Sequence, residues 1–320
     1  MKLLKLIPDN TNIKFLRWRV PFYAVSLLLM AASLALVITK GLELGVDFVG
    51  GQMTRVTFTQ SAEAPIAEVH EEIAALGYGE PIIQEMGDPN VISIRLKLPD
   101  DTGLTEQMVR ETRASLLSNH ADARIDDVQS VSSKVSDELF ETGMMALALA
   151  MLGISIYIWV RFEWQFGVGA LFALAHDVTL TLGLFALTGM EFDLNIVAAV
   201  LTLIGYSLND NIVIYDRIRE NLKKYRKMPL PELLDLSVNE TLSRTVVTST
   251  SLLITLASLL VLGPDVIFGF TAAITFGIFV GTYSSIFMST PILIWLGVTS
   301  DSFVPSESRA DVQDRKARET

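Results

Sequence analysis

The chain contains no cysteine. That removes disulfides, thiol nucleophiles and thiolate metal sites, and it fits a protein partly exposed outside the cytoplasm, ordinary drift of composition being the other reading. Catalytic signatures are missing too. His70 and Glu71 begin a zinc-helix pattern, but Ala74 stands where the second histidine belongs. Ser207 lies in G-Y-S-L-N and lacks the second glycine of a nucleophile elbow. No glycine-rich phosphate loop with a lysine occurs either. The chain therefore reads as a non-enzyme without a cofactor, drawing any work from an ion gradient or a partner. Positive charge is scarce: 25 Lys and Arg stand against 36 Asp and Glu, a net charge of −11 that argues against nucleic-acid binding.

What the chain does have is apolar length. Half of its residues are hydrophobic, and they collect in blocks. A bilayer core takes about 20 helical residues at about 1.5 Å each. Six blocks qualify, at 21–39, 140–160, 166–188, 194–215, 245–262 and 267–296, the last long enough to tilt or to end early at Pro291. The expected organisation is a segment 1–20, a first span 21–39, a soluble domain 40–138, a bundle 139–297 with a linker 216–243, and a charged, disordered tail 298–320. The fold class is an α-helical polytopic membrane protein carrying a small α+β domain between its first two spans.

Orientation follows from the cations. Lys2, Lys5, Lys14, Arg17 and Arg19 precede the first span, Arg161 separates the second from the third, and Arg217, Arg219, Lys223, Lys224, Arg226 and Lys227 follow the fourth. The opposite turns, 189–193 and 263–266, hold no Lys or Arg, so both termini are expected in the cytoplasm and 40–138 in the periplasm. The first span is too long for a signal peptide and lacks an Ala-x-Ala site before Gly41, so it reads as a retained anchor.

Within 40–138 the pattern gives strand 46–59, helix 65–76, strand 81–86, turn 87–90, strand 91–98, helix 105–119 opened by a Thr105 cap, and strand 123–131. That order, βαββαβ, is the ferredoxin-like split βαβ. In the linker, the Pro229-Leu-Pro231 start and residues 232–241 suggest a short amphipathic helix on the cytoplasmic surface.

The spans carry few ionisable groups, and each is costly in hydrocarbon, roughly 2.5–3.5 kcal/mol on insertion scales. His176 and Asp177 lie deepest, either as a proton-responsive pair or as a structural anchor. Asp210 sits nearer the cytoplasmic side, with Ser207 and Asn211 on its helical face and Asn209 beside it, and it is either functional or close enough to the interface to reach water. Arg244 opens the fifth span, where a cation opposes the helix dipole, and reads either as a flank residue or as a partner for Asp210 at matching depth, with Thr248 one turn further in. Gly269, Ala273, Gly277, Gly281, Ser285 and Ser289 put a small residue at every fourth position of the sixth span, a packing stripe or a sliding surface.

Several motifs together resemble the SecF half of the SecD–SecF protein-export family, a branch of the resistance-nodulation-division transporters. They are LIPDN at 6–10, RWR at 17–19, GVDFVGG at 45–51, YIWVRFEW at 157–164, AHDV at 175–178, the stretch around Asp210, LSRT at 242–245, Thr248 with Ser249, and GTYSS at 281–285. Two mild departures are Val49, where Thr is common before the double glycine, and Asn211, where a small hydroxyl often follows the aspartate. The resemblance implies a proton-driven machine of the bacterial inner membrane. It would act with SecD and the SecYEG channel on an emerging preprotein, with YajC as a further partner, membrane lipid around it and protons as the coupling ion. It assigns proton passage to Asp210, Arg244 and Thr248, and hinge positions in the periplasm to Asp47, Gly50 and Gly51. Two alternatives remain open on the residues themselves: a small-molecule or lipid exporter of the same superfamily, and a scaffold that only stabilises a partner.

Overall fold

The computed structural model describes Pro8 and residues 11–86, 88–98 and 102–298. Lys2, Lys5, most of the 6–10 motif, Gly87 and the tail beyond Val298 lie outside these residues, and their readings stand as expectations.

A 3-10 turn, Phe15–Trp18, leads into α1 (Arg19–Thr39). Residues 46–49 form a helical turn, α2 (Val46–Val49), where the alternation of apolar residues predicts strand. The reason is the double glycine that follows: Gly50 and Gly51 take φ of 71° and 112°, which ends the turn and starts β1 (Gly51–Phe58) afresh. Val46 and Phe48 are buried.

From there the domain runs α3 (Ile66–Ala75), β2 (Ile82–Met86), β3 (Asp88–Leu96), α4 (Thr102–Asn119) and β4 (Ala123–Val131). The expected turn 87–90 is largely strand, since Met86 already pairs with Asp88. The helix expected at Thr105 begins three residues earlier at Thr102, so Thr105 is inside it and is no cap; one glycine, Gly103, does not stop a helix. The sheet order is β2-β3-β1-β4, all antiparallel, the ferredoxin-like arrangement. One face packs on both helices through Val56, Phe58, Ile92 and Ile94 against Val69, Ile73, Met108 and Leu116.

The bundle continues with α5 (Ser133–Arg161), α6 (Trp164–Thr188), α7 (Leu194–Lys224) and α8 (Leu230–Leu262). It ends with α9 (Phe268–Ser284), a π-helical segment Ser285–Ser289 and α10 (Thr290–Trp295). Counting the last three as one span, six helices among the described residues are long and apolar enough to cross a membrane. Helices α6, α7 and α9 form the buried centre, while α1, α5 and α8 leave most of their apolar surface outward.

Two sequence expectations change at the far end. The linker 216–243 is almost wholly helical, because α7 runs on to Lys224 and α8 begins at Leu230. No Gly or Pro interrupts 232–262, so the expected surface helix and the fifth span are one rod. Its start suits Pro229 and Pro231, which need no N–H partner there. The sixth span does not end at Pro291. Proline withholds a backbone donor, and the helix widens into a π-turn just before it; the Ser289 and Thr290 hydroxyls donate to Ser285 O at 3.0 and 2.9 Å.

Candidate functional site

Asp177 and Ser207 meet in the middle of the bundle. Ser207 Oγ donates to Asp177 Oδ2 at 2.6 Å, and Ser284 Oγ donates to the same oxygen at 2.9 Å. His176 Nδ1 stands 2.9 Å from Asp177 Oδ1. One carboxylate thus ties α6, α7 and α9 together. Asp177, Ser207 and Ser284 are all fully buried, as is His176, whose Nε2 has no partner among the described residues. Every hydroxyl aimed at Asp177 Oδ2 is spoken for, which is the geometry of a fixed joint.

Asp210 is a different case. It lies four residues from Tyr206 and three from Ser207 on α7, is 3% exposed, and its Oδ2 has no hydrogen-bond partner among the described residues. Ser207, expected beside it, points its hydroxyl to Asp177 instead. Asn211 turns inward and donates to Ser207 O at 3.0 Å, whereas Asn209 is exposed and takes no part in either cluster.

Arg244 is not at a helix start. It sits fourteen residues into α8, whose first turn carries Glu232, so the argument from an opposed helix dipole does not apply. Measured from the domain end, Asp210 is about 24 Å along α7 and Arg244 about 27 Å along α8. Arg244 is within electrostatic reach of the carboxylate, yet among the described residues no ion pair joins them. Arg244 and Thr248 are both exposed on the outer surface of α8, and Thr248 Oγ1 donates back to Arg244 O at 3.0 Å. Ser251 and Thr255 extend that face at helical spacing, also exposed and also bonded to their own helix. The polar stripe of α8 is thus exposed, with Arg244 and Thr248 at its α7 edge, within reach of Asp210 and Tyr206.

A second polar thread escaped the sequence reading of the site. Tyr206 OH lies 3.0 Å from Ser249 Oγ, which lies 2.8 Å from Thr282 Oγ1, linking α7, α8 and α9 one turn from Asp210. Only the positions of Ser249 and Thr282 in apolar helices signalled it.

The small-residue stripe of α9 faces α7. A Cβ on Gly277 would come within 2.6 Å of Leu203 Cδ1, one on Gly281 within 3.3 Å of Ser207 Cβ, and one on Gly269 within 3.4 Å of Ile196 Cδ1. Ala273 is buried in the same apolar cluster. Ser285 belongs to the π-turn and binds Thr282 O at 3.0 Å.

At the domain end, Asp47 Oδ2 accepts the backbone N–H of Leu194 at 3.1 Å, and Asp193 Oδ1 accepts that of Ile196 at 3.0 Å, so two carboxylates cap α7. A short parallel bridge, Leu44 to Phe192, runs alongside. Gly50 packs on the Ser133 backbone, and a Cβ on Gly51 would stand 2.7 Å from Leu96 O. Among the described residues no three His, Asp or Glu side chains gather to hold a metal ion.

Comparison with known proteins agrees with this architecture. Residues 111–299 match the family described as protein export membrane protein SecD/SecF, C-terminal, and residues 35–62 match the SecD/SecF GG motif. The chain is 45% identical to the protein translocase subunit SecF of Cereibacter sphaeroides over 92% of its own length and 93% of that protein's. It is 37% identical to that of Pseudomonas aeruginosa over 95% and 98%. The crystal structure of SecDF from Thermus thermophilus, a translocon-associated membrane protein, superposes with a TM-score of 0.81 at 33% identity, covering 91% of this chain. A SecDF structure in a super-membrane-facing form gives a TM-score of 0.65 at 33% identity over 97% of this chain. The chain spans 39% and 40% of those two longer chains. On its motifs, its six spans around one ferredoxin-like domain and these identities, the chain belongs to the SecD/SecF protein-export family, among the SecF translocase subunits.

Proposed function

We propose that this chain works with SecD in the bacterial inner membrane and uses the proton motive force to promote late-stage preprotein translocation. The names of its relatives support the export role. The proton coupling rests on one observation: a buried carboxylate, Asp210, with an oxygen that no donor among the described residues reaches, level with a cation on the next helix that it does not yet touch. In this reading Asp210 alternates between a protonated form and an ionised form paired with Arg244, with Thr248 alongside. Protons are the coupling ion and no cofactor is invoked. Each exchange moves α7 against α8, and α7 carries at its other end the Asp47 clamp on the chain leading into the sheet.

The energetics suit a bias and not a power stroke. A proton crossing about 100 mV releases about 2.3 kcal/mol, enough to redistribute a two-state element. The far-end cations Arg161, Arg217, Arg219, Lys223 and Lys224 favour cytoplasmic termini, with the α+β domain in the periplasm near the SecYEG channel, YajC and the emerging preprotein. An exposed Arg244 in hydrocarbon would cost roughly 2.5–3.5 kcal/mol. Its face is where SecD packs in this reading, completing a set of twelve spans.

The test is Asp210→Asn in vesicles containing the whole export complex. Completion of translocation should lose its stimulation by membrane potential while assembly with SecD persists. Full retention of that stimulation would refute the reading, and a crosslink from the α+β domain to a nascent secreted chain separates protein export from small-molecule export.

A further inference from the structure

The sheet has a second face. Its residues are Met53 and Arg55 on β1, Ser93 and Arg95 on β3 and Gln84 on β2, which pair across the strands and point away from α3 and α4. Yet Met53 is 2% and Ser93 4% exposed, because this face lies over the domain end of the helical bundle. Between the two lies a cleft of about 310 Å3 lined by Gln84, Ser93 and Arg95 from the sheet and Lys40, Glu43 and Glu191 from the bundle.

Most polar groups there are satisfied. Gln84 Nε2 donates to Glu43 Oε2 at 2.7 Å, and Lys40 Nζ to Leu187 O at 3.0 Å. Asp47 and Asp193 are held as caps of α7. Three groups are left over. The Nε atoms of Arg55 and Arg95 are buried without partners, and Glu191, half-buried in the turn between α6 and α7, has neither hydrogen bond nor ion pair among the described residues. Its carboxylate rests on Gly45, where a Cβ would be 2.8 Å from Oε1.

We propose that this contact is an acid-tightened seat for the α+β domain: protonation of Glu191 closes the cleft, and its deprotonation loosens the sheet from the bundle. The geometry sets the direction. A carboxylate removed from water without donors prefers its neutral form, and only opening of the cleft rehydrates the charge. Burial indeed raises the Glu191 carboxyl; Arg95 and Arg55 oppose the rise, and Asp193 and Asp47 reinforce it. Lys40, Glu43 and Glu85 also face the cleft. A carboxyl raised in the seated state holds its proton more tightly there than when free, so seating strengthens as pH falls through the raised value and weakens above it. The cleft opens on the domain's own side of the membrane, so it responds to that compartment.

The absence of native cysteine makes the test direct. Spin labels at Ala114→Cys on the exposed surface of α4 and Leu187→Cys at the exposed end of α6 report the domain-to-bundle distance by dipolar spectroscopy on the full chain in nanodiscs. The seated population should grow as pH is lowered from about 8 to about 5 and shrink several-fold on the return. Glu191→Gln should stay seated at both, and Glu191→Asp, which still titrates, should keep the shift. A distribution indifferent to pH in the unaltered chain, or a pH shift that survives Glu191→Gln, would overturn the proposal.

Discussion

The carboxylate of Asp47 accepts the backbone N–H of Leu194 at 3.1 Å, fastening the segment that leads into the sheet to the first turn of α7. The same helix carries Ser207, which Asp177 holds, and Asp210, whose Oδ2 has no hydrogen-bond partner among the described residues. A displacement of α7 is therefore felt at both ends. Phe48, next to Asp47, reinforces the clamp by packing edge-on to Phe140 and tilted against Phe192, with ring centroids 5.7 and 6.1 Å away.

Asp47→Ala should free the Leu194 amide at a cost of about 0.5–2 kcal/mol, the usual range for a lost cap, while Asp47→Asn keeps an acceptor and costs less. Hydrogen exchange of the peptide spanning 194–197 checks this directly. Faster exchange should appear in the alanine variant and stay confined to that first turn, because Asp193 still caps Ile196.

Asp177 is predicted to be structural in its energetics. Asp177→Leu leaves the Ser207 hydroxyl and the His176 ring without their acceptor and Ser284 with Gly281 O alone, and should cost about 3–5 kcal/mol, the range for breaking a buried pair. Ser284→Ala removes one hydroxyl bond and should cost only about 0.6–1.7 kcal/mol, as hydrogen bonds between membrane helices do. A double-mutant cycle on Ser207→Ala and Ser284→Ala, measured by unfolding in mixed micelles, should show coupling, since both donate to one oxygen.

Hydropathy blocks and strand alternation made the six spans and the βαββαβ order legible, because apolar length and period two are local signals. What stayed hidden was non-local or hinged on one backbone angle. The turn at Val46–Val49 imitates a strand in its side chains and is fixed by positive φ at Gly50 and Gly51. The continuity of α8 was obscured by charge, although residues 232–262 contain no breaker. At the site, spacing puts Ser207 on the helical face of Asp210, and only the packing of α6 against α7 shows that its hydroxyl serves Asp177. Asn209 looked polar and near, and one residue of helical rotation, about 100°, puts it on the outside.

Gly277 should tolerate no bulk. A Cβ there would come within 2.6 and 2.7 Å of the two methyls of Leu203, so even Gly277→Ala forces Leu203 to move, and Gly277→Leu should cost about 1–3 kcal/mol by overpacking. Leu203→Ala in the same chain should recover part of that loss by making room. Thermal unfolding of the two single variants and the double variant checks the recovery, and additive losses would show that α7 and α9 do not meet as described.

The outward face of α8 yields the sharpest test of the partner. Arg244, Thr248, Ser251 and Thr255 repeat at helical spacing, and all four are exposed among the described residues. Their hydroxyls bond back to their own helix, which quiets the hydroxyls but leaves the guanidinium without an ion pair among the described residues. A lipid-facing stripe would not need the arginine, and on insertion scales Arg244→Leu would then stabilise the isolated chain by roughly 2.5–3.5 kcal/mol. A partner-facing stripe behaves otherwise. A single Ser251→Cys in the cysteine-free chain should react readily with a membrane-permeant maleimide when the chain is alone, and the rate should fall several-fold once SecD is present. Arg244→Leu should then weaken that protection, because the charge that the partner's polar groups must neutralise is gone while their own desolvation remains. Equal labelling with and without SecD would place the partner on another face of the bundle.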